Sequence, residues 1–75
     1  MKCYGYTAEG NDLIELTEIT IQADAEALRR LAAFINGCAD QIVAYGQAWD
    51  HQHFQDSVFF DCDSSAPDIV VARLP

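Results

Sequence analysis

The sequence predicts an α+β fold, a two-layer sandwich in which one long helix packs on a small, mainly antiparallel sheet of three to four strands, in the order β-β-α-β-β. Three observations carry this expectation. Residues 25–45 repeat apolar side chains at the helical period; the segments before them are short, rich in β-branched residues and parted by "AEGND"; the segments after them, "SVFFDC" and "IVVARL", are short apolar runs parted by "DSSAPD". A chain of 75 residues can build only one hydrophobic core, so residues 1–75 are expected to form a single α+β domain.

The first strand is expected within "KCYGYT", residues 2–7, where Cys3, Gly5 and Thr7 alternate with the larger Lys2, Tyr4 and Tyr6. The Gly10-Asn11-Asp12 cluster then suits a hairpin turn, because Gly and Asn tolerate positive φ. "LIELTEITIQ" is the partner strand, but its apolar phase changes: Ile14 and Leu16 share one parity, Ile19 and Ile21 the other. A bulge or sharp bend near Thr17 and Glu18 would turn both sets to the core.

Asp24 is the expected N-cap of the helix, its carboxylate accepting from amides of the first turn, and Glu26 adds negative charge where the helix dipole is positive. The helix runs to about Tyr45 and stops at Gly46. At 100° per residue, Leu28, Leu31, Ala32, Phe34, Ile35, Cys38, Ala39, Ile42, Val43 and Tyr45 occupy about half the circumference, the width needed to cover a sheet. Glu26 can pair with Arg30 one turn on. Beyond the helix, "SVFFDC" is the expected third strand and "IVVARL" the fourth.

Twelve acids against four bases give a formal charge of -8, and after Arg30 the only base is Arg73, against six aspartates. Such a surface repels phosphate backbones and argues against nucleic acid; it suits a basic protein partner, a cation, or solubility alone. Three cysteines (Cys3, Cys38 and Cys62) cannot all pair within one chain, and reduced, buried thiols in a cytoplasmic protein are expected. The N-terminus lacks the apolar run of a signal peptide, and no stretch is long enough to span a membrane.

The one segment dense in functional side chains is "AWDHQHFQD", residues 48–56, which holds both histidines of the chain. In an extended strand His51 and His53 leave the same face about 7 Å apart, within reach of one ion, and Cys62 is a further candidate ligand. Zinc spacings normally pair two Cys or His dyads, however, and here there is one, so neither a metal nor a cofactor is expected. Catalysis is not expected either: no phosphate loop or nucleophile elbow surrounds the histidines, and one helix on a small sheet offers no deep cleft. A docking surface is the reading taken, formed by Trp49, Asp50, His51, His53, Phe54, Asp56, Asp61 and Asp63, with Tyr4 and Tyr6 as additional candidates. The competing structural reading makes Trp49 and Phe54 a plug at the end of the sandwich.

"LIELTEITIQADAEALRRLAAFINGCADQI", then "DHQHF", then "PDIVVARL" together resemble the immunity protein 32 family of bacterial polymorphic toxin systems, from about Leu13 onward. The resemblance implies a small α+β protein that neutralises a cognate toxin by binding it, without catalysis. A surplus of negative charge would speed encounter with a basic toxin domain. Two alternatives stand beside this: a homodimeric module whose uncovered sheet face packs on its twin, and a small metal-binding protein using His51 and His53.

Overall fold

The computed structural model describes every residue except 63 and 64. Its elements follow the expected order: strands β1 (Cys3–Gly5) and β2 (Ile14–Leu16), helix α1 (Ala25–Tyr45), and strands β3 (His51–His53) and β4 (Val70–Ala72), with 3₁₀ turns at Gly46–Ala48 and Phe54–Asp56. The strands form two separate antiparallel pairs, β1 with β2 and β3 with β4.

The helix begins and ends where its sequence signals lie. The Asp24 carboxylate accepts the Ala27 amide at 2.8 Å, satisfying one of the orphan donors of the first turn. At the other end Gly46 has φ 55°, a conformation that costs a side-chain-bearing residue free energy, and its amide donates to Ile42. Glu26 and Arg30 meet at 2.8 Å across one turn.

Leu31, Phe34 and Cys38 lie on one stripe of α1 and are buried with Trp49 and Phe54; Ile42, Phe59, Phe60, Ile69 and Val71 pack around them. The Phe54 ring links the layers, with its centroid 5.1 Å from Phe34 and 5.3 Å, edge on, from Phe60. Burial pushes the Cys38 thiol up, which keeps it protonated and inert. Cys3 is half-buried and Cys62 exposed, both as free thiols.

Three expectations are corrected. The helix face is covered over only part of its apolar arc: Leu28, Ile35, Val43 and Tyr45 are exposed, because the polypeptide after the helix returns along the Leu31–Phe34–Cys38 stripe alone. The second strand does bend at Thr17, but Ile14, Leu16, Ile19 and Ile21 all remain exposed, so neither parity reaches the core. Finally, "SVFFDC" is not a strand. Ser57 donates its hydroxyl to the Phe54 carbonyl at 2.8 Å and accepts the Phe59 amide at 3.3 Å, and these local bonds hold a turn where a ladder would need an extended chain. Phe59 and Phe60 still pack against the core, from that turn. The third strand is His51–His53 instead.

Candidate functional site

The histidine segment is positioned from both sides. Upstream, the turn after Gly46 places Trp49 in the core, where its indole N–H donates to Gln41 Oε1 at 2.6 Å. Downstream, Phe54 is buried and its amide donates to the Ile69 carbonyl at 2.7 Å. Between these anchors β3 pairs with β4 in the register His51↔Ala72, Gln52↔Val71, His53↔Val70. Arg73 closes the open end: its amide donates to the Asp50 carbonyl at 2.9 Å and its Nε to the Trp49 carbonyl at 2.9 Å. The single base of the C-terminal half is thus spent on backbone carbonyls.

Strand alternation decides which side chains are available. Gln52 lines the side toward Phe34 and Cys38, with Val71 opposite it packed on the core. His51 and His53 therefore leave the other face, where Val70 is also exposed. Their rings stand 5.4 Å apart, nearly perpendicular at 74°.

Each imidazole is held by its own carboxylate. His51 Nδ1 lies 2.6 Å from Asp50 Oδ2, and His53 Nδ1 lies 2.6 Å from Asp68 Oδ2. An ionised carboxylate can only accept, so the Nδ1 of each ring is the donor of its pair, and Nε2 is the nitrogen turned away from the carboxylate. Asp68 is also tied to the backbone, its Oδ1 accepting the Gln55 amide at 3.0 Å and the Ile69 amide at 2.9 Å. Partial desolvation pushes the Asp68 carboxyl up, but the bond from His53, the two amides and the His53 charge outweigh it and hold its pKa below the ordinary carboxylate value.

The residues singled out in the sequence thus divide. Trp49 and Phe54 are core residues, 9% and 7% exposed, and plug the end of the helix. Asp50, His51, Asp56 and Asp61 are exposed and His53 half-exposed, while Asp63 lies outside the described residues. Tyr4 and Tyr6 are exposed on the N-terminal hairpin. Cys62 does not join the histidines: among the described residues no three His, Cys, Asp or Glu side chains converge as metal ligands. Asp68, which the sequence offered only as one acid among six, proves to be the tie between β4 and His53; its place directly after Pro67 and before an apolar strand was the available signal.

Among the described residues the depressions found are shallow and open. An open depression of about 240 Å³ beside Phe34, Gln41, Gln52, Asp56 and Phe59 is smaller than the roughly 300–1,000 Å³ typical of ligand sites, and neither histidine lines it. The Ser57 hydroxyl is engaged with a backbone carbonyl, donating to Phe54 at 2.8 Å. Among the described residues no helix is long and apolar enough to cross a membrane. The arrangement offers a carboxylate- and imidazole-bearing surface on a firmly anchored strand pair.

Residues 18–74 match the family model described as immunity protein 32. No curated protein and no solved structure matches the chain.

Proposed function

The chain belongs to the immunity protein 32 family, and on that premise we propose that it is a non-catalytic cytoplasmic protein that neutralises a cognate bacterial toxin by binding it directly. The family match over residues 18–74 carries this reading. The charge of -8 supports a basic toxin domain as the partner, since long-range attraction raises the encounter rate and an acidic surface can occupy a groove built for phosphate.

The contact surface proposed is the outer face of β3 with Asp50, His51 and His53, to which the exposed Asp56 and Asp61 add negative charge; Asp63, also proposed as a contact, lies outside the described residues. Trp49 and Phe54 act from behind, fixing the strand that presents these groups. Anchoring of β3 at both ends by Trp49 and Phe54 supports a surface ordered before the partner arrives, which lowers the entropy cost of binding.

The test is to mix the purified chain with the toxin domain encoded beside its gene and measure association by calorimetry and protection in a toxicity assay. A complex is expected whose association rate falls steeply with added salt and falls further in an Asp50→Asn/Asp56→Asn double variant. Absence of any complex with the neighbouring toxin domain would refute the proposal.

A second reading is favoured by the apolar residues left uncovered on α1 and the N-terminal segment, among them Leu28, Ile35, Val43, Ile19 and Ile21. In this reading the chain is a homodimeric module whose second copy buries them. Light scattering at micromolar concentration decides between monomer and dimer: a monomer removes the homodimer, whereas a dimer is compatible with toxin binding as well.

A further inference from the structure

The pair of histidines on β3 carries more than a docking role. We propose that His51 and His53 form a two-nitrogen site for a borderline divalent cation, zinc above all, with Asp50 and Asp68 as the carboxylates that orient the two ligands.

Three features of the geometry point there. The first is spacing. If one ion sits about 2.0 Å from each nitrogen at a tetrahedral angle, the two ring centres are about 5.2 Å apart; the centroids of His51 and His53 are 5.4 Å apart. The separation of the rings is thus within a few tenths of an ångström of that of a chelating pair.

The second is tautomer. Both rings have Nδ1 engaged by a carboxylate oxygen at 2.6 Å, so Nε2 is the nitrogen each ring would offer to a metal ion. A carboxylate on the far nitrogen is the arrangement that fixes metal-ligating histidines, setting the ring orientation and raising the basicity of the bound nitrogen. One such pair would be an ordinary surface contact. Here two occur on alternate residues of one strand, with the same nitrogen engaged in each.

The third is access and charge. The side chains of His51 and His53 are 47% and 43% exposed, so an ion and its waters can reach them, and the acids of the C-terminal half favour a cation. Imidazole suits zinc, nickel and copper in preference to magnesium or calcium, which require oxygen ligands. Since the described residues contain no third convergent ligand, two protein nitrogens hold the ion and the other positions belong to water. The inference does not rest on the toxin reading, because the site is complete in the isolated chain.

The experiment is calorimetric titration of the purified full chain, kept reduced, with zinc chloride and with nickel chloride, alongside His51→Ala, His53→Ala, Asp68→Asn and Cys62→Ser. One ion per chain is expected for the parent. Affinity should fall at least tenfold in either histidine variant, fall by about tenfold in Asp68→Asn through loss of ligand orientation, and stay unchanged in Cys62→Ser. Bound copper(II) should give an electron paramagnetic resonance signal with coupling to two nitrogens. Circular dichroism checks that the variants fold, which is expected because both histidines lie on the solvent face. No binding at millimolar ion, or binding that survives in either histidine variant, would overturn the site. An Asp68→Asn affinity equal to the parent's would overturn the positioning role of that carboxylate.

Discussion

Replacing Asp68 by alanine removes three hydrogen bonds at once, to His53 Nδ1 at 2.6 Å, to the Ile69 amide at 2.9 Å and to the Gln55 amide at 3.0 Å. A net hydrogen bond contributes about 0.5–1.5 kcal/mol. All three stand at the surface, and with side chains 43% and 28% exposed the His53–Asp68 pair is screened by water, so each belongs at the low end of that range. The expected cost is therefore about 1–2 kcal/mol at neutral pH. For a domain of this size that lowers the melting temperature by roughly 5–15 °C. Asp68→Asn should lose only about half as much, since its amide oxygen can still accept from the two backbone N–H groups.

The pH dependence gives an independent check. The native pKa of Asp68 is depressed, so its contribution is whole above the unfolded-state value of about 3.9 and disappears as pH falls through the lower native value. Thermal melts followed by circular dichroism, run from pH 7 down toward pH 3, should show the parent and Asp68→Ala curves converging below about pH 4. An alanine variant that melts with the parent at pH 7, or a deficit that does not shrink on acidification, would refute the assignment of Asp68 as the tie between β4 and His53.

Phe34→Ala should cost about 3–5 kcal/mol, because the ring is 2% exposed and meets Phe54 at 5.1 Å. Against a total stability of about 4–11 kcal/mol for a domain of this length, that removes a large share of the stability, which a urea titration would register as a marked fall in the midpoint. Two glycine substitutions should act in opposite directions. Gly37→Ala meets nothing within 4 Å in the helix interior and should stabilise by about 0.5–1 kcal/mol, whereas Gly46→Ala, equally free of clashes but at φ 55°, should destabilise by about 1 kcal/mol. Equal shifts in melting temperature for the two would contradict the backbone argument.

What could be read along the chain was whatever depended on neighbouring residues. The helix and both its ends followed from Asp24, Glu26 and Gly46, because capping is a bond between residues three or four apart. The order β-β-α-β-β followed from turn residues and period. "SVFFDC" misled because β-branched and aromatic residues record burial as much as extension: Phe59 and Phe60 are packed against the core, but from a turn held by Ser57. The strand that replaces it, "HQH", has neither apolar alternation nor β-branched residues and carries no propensity signal.

By itself, then, the sequence determined the helix, the element order, the acidic balance and the reactive segment at residues 48–56, all of which are set by local bonding or by composition. Tertiary structure alone decided that Trp49 and Phe54 are buried while His51 and His53 face solvent, and that Asp68 meets His53 from 15 positions further along the chain. The physical reason is that strand register and the choice of which helix stripe is covered are long-range pairings. They depend on which distant segment reaches a surface first and buries it best, and no window along the chain records that competition.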